Sequence, residues 1–112
     1  MLHKMKLQPK PFASIKAGRK TIEMRLNDEK RQKVAIGDEI EFTEVVSGQT
    51  LICKVTNVYR YGDFAALYSN HDKAALGYKK TETADPNDML VYYDKENIAR
   101  YGVIGIEIKV TH

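Results

Sequence analysis

The sequence predicts an α+β fold: a mixed or antiparallel β-barrel of about five or six strands, with about three short helices packed outside it. Several short segments alternate apolar and polar side chains, which is typical of half-buried strands. The connections between them have hairpin length and contain glycine. Short apolar segments that begin or end at capping residues predict the helices. Strands with few intervening helices indicate helices packed against one sheet.

The first elements follow from alternation and proline. Residues 2–7 alternate and predict the first strand. Pro11 suits the first position of a helix that runs to residue 16 or 17, and Gly18 suits its C-terminal cap. Residues 21–26 predict the second strand. The charged run 27–33 is expected to be a solvated loop, or alternatively to place Lys30, Arg31 and Lys33 at the rim of a phosphate-binding cleft.

The middle of the chain predicts a hairpin. A turn at Gly37-Asp38 leads into a strand over residues 39–43, and a turn around Gly48 leads into a longer strand over residues 50–59. Two alternating segments joined by a short glycine-containing turn are typical of antiparallel neighbours.

The last part of the chain predicts helices and a closing strand. Asp63 is a plausible N-cap for a helix over residues 64–68, whereas residues 73–80 are ambiguous. Asp85-Pro86 predicts the start of a helix to about residue 94, with continuation to residue 98 left open. Met89, Tyr92 and Tyr93 would face inward. Residues 103–110 predict the final strand.

Composition limits the classes of protein. A chain of 112 residues is expected to form one domain over residues 1–112, and 43% hydrophobic content argues against disorder. The lone Cys53 cannot form an internal disulfide, which fits a cytoplasmic protein. No apolar run is long enough to span a bilayer, and no signal-peptide pattern is present. The histidines (His3, His71 and His112) lack metal-ligand spacing, so we expect no membrane association, metal or cofactor. A net charge of +3 permits phosphate binding without demonstrating it.

The stretch from residue 18 to residue 25, Gly-Arg-Lys-Thr-Ile-Glu-Met-Arg, is the candidate functional segment. In a strand, Thr21, Glu23 and Arg25 share one face and the intervening residues take the other. A polar face that follows a Gly-Arg-Lys turn suits a small polar or phosphate-bearing ligand. The alternative is a solvated strand face, on which exposed ion pairs contribute only about 0–1 kcal/mol.

The same stretch carries a family resemblance. Gly18, Lys20, Glu23 and Arg25 reproduce the G-x-K-x-x-E-x-R signature of the ASCH domain (activating signal cointegrator homology), a branch of the PUA-like superfamily. The similarity extends over the whole chain, including Lys-Leu-x-Pro at residues 6–9, the Gly-Asp turn at 37–38 and the final segment 101–108. The chain resembles the small single-domain bacterial members. The resemblance implies a PUA-like β-barrel.

The resemblance also implies a function. ASCH-type domains are thought to bind RNA or nucleotides, so the expected ligand is RNA, a nucleotide or a modified nucleoside. The residues that would form the site are Gly18, Arg19, Lys20, Glu23 and Arg25. Some small members that resemble this chain are amidohydrolases, which remove the acetyl group from acetylated cytidine with a Thr, a Lys and a Glu.

The catalytic residues of those enzymes carry over only in part. Their Lys corresponds to Lys20, but the position of their Thr is occupied by Glu23, which leaves Thr21 as the candidate nucleophile. Their Glu has no secure counterpart, and Asp63 and Asp72 are the nearest carboxylates.

The residue types alone support either binding or turnover. Glu23 could act as a general base on water, with Lys20 holding an oxyanion and Arg25 binding a phosphate or carbonyl. The same trio could instead hold a nucleobase edge and a phosphate without turnover.

Tyrosines near glycines are candidates for base stacking, and Tyr61 and Tyr78 are therefore assigned to ligand contact. Tyr68, Tyr92 and Tyr93 have helical core spacing and are assigned to the core. The leading hypothesis is an RNA- or nucleoside-binding domain, and the alternative is an amidohydrolase that uses Lys20, Glu23 and Thr21. A third class, a protein–protein adaptor with no specified partner, predicts an exposed apolar patch.

Overall fold

A computed structural model describes residues 1–111, and His112 lies outside the described residues. One sheet contains the strands β1 (Leu2–Leu7), β2 (Ile22–Leu26), β3 (Glu39–Glu44), β4 (Thr50–Tyr61) and β5 (Val103–Thr111). The helices are α1 (Pro9–Lys16), α2 (Phe64–Asn70) and α3 (Lys95–Tyr101). Two 3₁₀ turns, Arg31–Lys33 and Pro86–Val91, complete the regular structure of these residues.

The sheet is mixed and curls into a half-barrel. Its strand order is β1-β3-β4-β5-β2. Strands β1 and β3 run parallel, and every other neighbouring pair is antiparallel. The β4–β5 pair is the longest and contains a register shift between Val55 and Asn57, as a β-bulge produces. The predicted α+β class, the strand number and the outer helices are confirmed.

Side chains join the two edge strands across the open side of the half-barrel. The Nη2 atom of Arg25 in β2 donates to the carbonyl oxygen of Lys6 in β1 at 2.6 Å. The Nζ atom of Lys30 donates to the carbonyl oxygen of Lys4, also at 2.6 Å. Carbonyl groups at a sheet edge lack ladder partners, so these cations cover part of the exposed edge of β1.

Two apolar clusters hold the elements together. The first fills the half-barrel and includes Phe12, Ile40, Phe42, Cys53 and Ile106. Cys53 is a small buried residue whose thiol pKa is raised to about 11 by burial, so it is an inert core residue. The second cluster joins β2 to α2, α3 and the Pro86–Val91 turn, and includes Ile22, Phe64, Leu67, Met89 and Ile98.

Several predicted boundaries are confirmed to within a few residues. Helix α1 begins at Pro9, ahead of the predicted start, and Gly18 follows its end with a φ of 79°. Asp63 caps α2 by accepting a hydrogen bond from the backbone N–H of Ala66 at 2.8 Å. The charged run 27–33 forms a loop and one 3₁₀ turn, in which Asp28 pairs with Arg31 at 3.0 Å.

The predicted helix from residue 85 to residue 94 is wrong. Asp85 does act as a cap, but the turn it opens is 3₁₀ and ends at Val91. Asp94 has extended backbone and accepts from the N–H of Asn97 at 2.7 Å, so it begins a separate helix, α3. A residue with extended backbone cannot continue a helix, and the two segments are therefore distinct. Tyr92, predicted to face inward, is 62% exposed, whereas Tyr93 packs against the second cluster as predicted.

Among residues 1–111, no helix is long and apolar enough to cross a membrane.

Candidate functional site

A cleft of about 300 Å³ opens between the start of α1, strand β2 and the segment that follows the second 3₁₀ turn. Its wall includes Leu76, Gly77 and Met89, together with the adjacent Tyr92 and Tyr93. We call residues 86–93 the strap, because this segment lies along one side of the cleft. The volume is at the lower end of the range for small-molecule sites, about 300–1,000 Å³. The cleft is therefore large enough for one small molecule.

The floor of the cleft is an ion triad, which we call the floor triad: Lys20, Glu23 and Arg25. The Lys20 Nζ atom lies 2.9 Å from Glu23 Oε1, and the Arg25 Nε atom lies 2.7 Å from Glu23 Oε2. One carboxylate thus holds two cations, each on its own oxygen. The structure brings together the three charged residues that the sequence placed at the centre of the site.

Burial makes the triad unlike a surface ion pair. The Glu23 side chain is 5% exposed, and those of Lys20 and Arg25 are 11% and 12% exposed. Burial alone would raise the Glu23 pKa, but the charges and hydrogen bonds of Lys20 and Arg25 outweigh it and lower the pKa to about 2. Burial alone would lower the Arg25 pKa, but the Glu23 carboxylate more than compensates and raises it. Glu23 and Arg25 are therefore in their charged forms near neutral pH.

The rim of the cleft is cationic. Lys6 at the end of β1 and Lys10 in α1 both line the cleft and are exposed. Glu23 is the only carboxylate among the lining residues of the described chain, against four cationic side chains. Because the cationic side chains outnumber the carboxylate, the cleft has an excess of positive charge. Lys30, Arg31 and Lys33, the alternative rim residues from the sequence, do not line it.

Backbone contacts position Lys20 on the floor. The backbone N–H groups of Thr21 and Ile22 both donate to the carbonyl oxygen of Ala75 at 3.0 Å, which ties the start of β2 to the loop before Gly77. Gly77 has a φ of 102°, and a Cβ there would lie 3.0 Å from Lys20 Cδ. The missing side chain at position 77 therefore leaves room for the Lys20 stem beside the cleft.

Two predicted site residues lie at a second hollow, and a third is outside both. Thr21 and Gly18 line a hollow of about 320 Å³ on the other side of Lys20, together with Lys16 and Lys109. Arg19 is exposed and lines neither space. Thr21 therefore shares Lys20 as a neighbour but not the cleft of the floor triad.

The two tyrosines assigned to ligand contact make other contacts. The Tyr61 hydroxyl is hydrogen-bonded to His71 Nε2 at 2.8 Å. The Tyr78 hydroxyl donates to Asp88 Oδ2 at 2.8 Å and lies 2.8 Å from the Tyr68 hydroxyl, which ties the strap to α2. Burial is the main cause of the raised Tyr78 pKa, and the bonds to Tyr68 and Asp88 raise it further.

The carboxylates considered as counterparts of a catalytic Glu are elsewhere. Asp63 is the cap of α2, and both Asp63 and Asp72 are exposed and outside the cleft. Among residues 1–111, no group of three His, Cys, Asp or Glu side chains is arranged to hold a metal ion.

Sequence reasoning missed Tyr92, Lys6 and Lys10 as cleft residues. Asp94 could have revealed the exposure of Tyr92. An Asp cap at position 94 begins a new helix, so Tyr92 does not belong to a continuous helix with an inward face. Lys6 alternates with buried β1 residues, which shows that it is exposed, but its distance from β2 follows only from the curl of the sheet.

Comparison with known proteins gives one family. The family model described as "ASCH domain" matches residues 5–112. The crystal structure of hypothetical protein PH0355 is similar to this chain, with a TM-score of 0.84 and 31% identity over 99% of this chain and 100% of that one. The solution NMR structure of protein PF0455 from Pyrococcus furiosus has a TM-score of 0.71 and 30% identity, covering 100% of this chain and 99% of that one.

A mutant of ZmASCH from Zymomonas mobilis is a more distant structural relative. It has a TM-score of 0.61 and 14% identity over 96% of this chain and 67% of that one, which shows the shared fold alone. No curated protein matches the chain.

Proposed function

Because the chain belongs to the ASCH domain family, we propose that it binds RNA, or a nucleotide or modified nucleoside, in the cleft above the floor triad. The observation that carries the proposal is the combination of a buried Lys–Glu–Arg floor with an exposed tyrosine on the wall of the same cleft. Cations suit phosphate or carbonyl oxygens, and an exposed ring suits a base.

Tyr92 supplies the aromatic surface for this proposal. It is 62% exposed and lines the cleft, and its ring centroid lies 6.4 Å from that of Tyr93. Stacking of one base on an aromatic side chain contributes about 1–3 kcal/mol. Because every base has such a face, the ring by itself selects no particular base. A single unstacked base or a free nucleoside fits the cleft volume better than a duplex does.

The ionisation of Glu23 favours binding over general-base catalysis. A general base works best when its pKa lies near the working pH. The Glu23 pKa of about 2 makes the carboxylate a weak base, and both of its oxygens already bind cations. Glu23 therefore serves better as the counter-ion that fixes Lys20 and Arg25.

The proposal is tested by titrating the protein into a fluorescently labelled single-stranded RNA and following anisotropy at two salt concentrations. We expect Arg25→Gln to weaken binding at least tenfold. Lys54→Gln, which removes the same charge from an exposed β4 position outside the cleft, should change binding less than twofold at the same salt. Competition with ribonucleosides and their 5′-monophosphates then separates RNA from small ligands. Equal effects of the two substitutions on every ligand would remove the cleft from the proposal.

The second candidate is an amidohydrolase acting on an acetylated cytidine-like nucleoside. One observation favours it: Lys20, at the position of the family's catalytic Lys, lies on the cleft floor. Thr21 does not line the cleft, whereas Ser14 does, so Ser14 is the aliphatic hydroxyl that could act as the nucleophile there. Turnover of acetylated cytidine by the wild-type protein, lost in both Lys20→Ala and Ser14→Ala, would establish this function. No turnover at high protein concentration would leave the binding proposal.

The adaptor hypothesis has weaker support. Leu90 and Val91 are exposed on the strap beside Tyr92, but the charged floor below them favours a polar ligand.

A further inference from the structure

We propose that the cleft floor is an oxyanion site, in which a phosphate group of the ligand sits against Lys20 Nζ and Arg25 Nη1 while the planar part of the ligand lies toward Tyr92. The inference rests on the proposed function for the ligand class and adds which chemical group occupies the floor. The phosphate could belong to a free nucleotide or to an RNA strand, and the experiment below separates these sources.

The floor of the cleft has no free anionic acceptor. Glu23 Oε1 is paired with Lys20 Nζ at 2.9 Å, and Oε2 is paired with Arg25 Nε at 2.7 Å. A ligand that offers amino groups to the floor would have to compete with two charge-assisted contacts in a buried place. A ligand that offers oxygens meets no such competition.

Hydrogen-bond donors on the floor remain available. An ammonium group has three N–H donors, and its contact with Glu23 engages only one from Lys20. The Nε and Nη2 atoms of Arg25 bind Glu23 and the Lys6 carbonyl oxygen, but Nη1 has no hydrogen-bond partner within residues 1–111. Among residues 1–111, Arg31 Nε is the only buried side-chain nitrogen or oxygen that lacks a hydrogen-bond partner. The unpartnered Nη1 of Arg25 is therefore not buried. Nη1 is therefore open to a ligand.

The net charge of the cleft also favours an anionic group. Lys6 and Lys10 add two more cations at the rim, and the lining residues contain no second carboxylate. An uncharged nucleoside would leave this excess uncompensated, whereas a phosphate would neutralise part of it, and a terminal phosphate more than a phosphodiester. In a partly enclosed cleft such a pairing is stronger than the same pairing in open water.

These arguments assign Glu23 as a positioning residue. Both of its carboxylate oxygens are engaged, and it keeps the Lys20 ammonium and the Arg25 guanidinium at fixed places on either side of one carboxylate. A fixed pair of donors recognises phosphate oxygens with less loss of side-chain entropy than two free side chains would. Tyr92 then stacks on the base at the wall.

The test uses ³¹P NMR of inorganic phosphate and calorimetric titration of each common ribonucleoside beside its 5′-monophosphate, all with the full chain at low salt. We expect the phosphate resonance to shift saturably with wild-type protein, and the monophosphate to bind at least tenfold more tightly than its nucleoside. Lys20→Gln and Arg25→Gln should reduce that ratio to less than threefold. The charge-matched control Lys54→Gln should keep it. Lys10→Gln, an exposed rim variant that has no buried partner to disturb, should reduce the ratio two- to fivefold.

The source of the phosphate is read from a 5′-phosphorylated RNA oligonucleotide and the same oligonucleotide without that group. Preference for the phosphorylated end indicates a terminal phosphate, and equal binding of both, still dependent on Lys20, indicates an internal phosphodiester.

Failure of this inference is distinguishable from failure of the proposed function. If nucleosides bind as tightly as their monophosphates and still depend on Arg25, the floor is not an oxyanion site, although the cleft still binds nucleosides. If phosphate shifts equally with wild type and Lys20→Gln, the binding is adventitious and the inference is overturned. If no nucleoside, nucleotide, phosphate or RNA binds, both proposals fall together.

Discussion

Replacing Glu23 with glutamine should destabilise the fold because two buried cations lose their shared counter-ion. Glutamine preserves the size of the side chain, but it keeps one acceptor oxygen and turns an NH2 group toward one of the two cations, so the substitution removes the charge and one acceptor together. The side chains of Lys20 and Arg25 are only 11% and 12% exposed, and water cannot fully replace the lost carboxylate. Removing one partner of a buried ion pair typically costs about 3–5 kcal/mol.

The Glu23 pKa gives an independent magnitude. A fall from the ordinary value of 4.5 to about 2 means that the fold favours the ionised carboxylate. At about 1.4 kcal/mol per pH unit, this preference corresponds to about 3 kcal/mol. In a domain of this size the loss lowers Tm by roughly 10 °C or more. Both routes therefore give about 3 kcal/mol at pH 7.

The cost should depend on pH in one direction. Because the folded-state pKa lies below the unfolded-state value, the Glu23 contribution is fully present above about pH 4.5 and is lost as the pH falls toward 2. The wild-type protein should lose about 3 kcal/mol over that interval from this residue, and the Glu23→Gln variant should not. Asp38 also has a pKa of about 2, chiefly through its hydrogen bond to His3, but it is present in both proteins and cancels in the difference.

Urea unfolding of the wild type and Glu23→Gln at pH 7 and at pH 2.5, followed by circular dichroism, measures the effect. The difference in unfolding free energy should be about 3 kcal/mol at pH 7 and should shrink by more than half at pH 2.5. Glu41→Gln is the control, because Glu41 has no ion-pair partner among residues 1–111 and should change stability by less than about 0.5 kcal/mol. An equal difference at both pH values, or no loss at pH 7, would refute the description of the triad as a buried ion cluster.

Three further substitutions test the cleft wall. Tyr92→Ala should weaken ligand binding by about 1–3 kcal/mol, measured by titration, with little change in Tm because the ring is 62% exposed; an unchanged affinity would exclude stacking on this ring. Tyr78→Phe should cost about 1 kcal/mol of unfolding free energy, since it removes the hydroxyl that links the strap to α2, and denaturant unfolding with no change would contradict that link. Gly77→Ala and Gly48→Ala both add a Cβ at positive φ and should each lose about 1–2 kcal/mol of stability, but only the first crowds Lys20 and should also reduce ligand affinity.

Much of the fold follows from local patterns. Alternation fixed the faces of β1 and β3, and Asp63 marked the start of α2, because these features depend on neighbours in the chain. The helix predicted over residues 85–94 is wrong because the chain has two caps there. Asp85-Pro86 opens the first segment, and Asp94 opens a separate helix. The cap at Asp94 separates the Pro86–Val91 segment from α3, so no single helix runs through residue 94.

The candidate site was predictable in its residues but not in its surroundings. The spacing of Lys20, Glu23 and Arg25 predicted that their side chains would be close. It also suggested an exposed charged face, whereas the structure buries Glu23 under the cleft and links Arg25 to the Lys6 carbonyl oxygen. Burial on both faces of β2 depends on the curl of the sheet and on the distant strap, which no local pattern in residues 18–25 encodes.

The most direct test of the central claim is a two-dimensional ¹H–¹⁵N NMR titration of the labelled protein with a ribonucleoside 5′-monophosphate. The account predicts that the largest amide shifts cluster at residues 20–25, 76–77 and 89–93, with the Arg25 side-chain Nε–H signal among them. Lys16 and Lys109, which line the second hollow away from β2, and the exposed face of β4 near Lys54 should change little. Saturable shifts centred on the second hollow, or spread evenly over the basic surface, would contradict the claim that the cleft above the floor triad is the binding site.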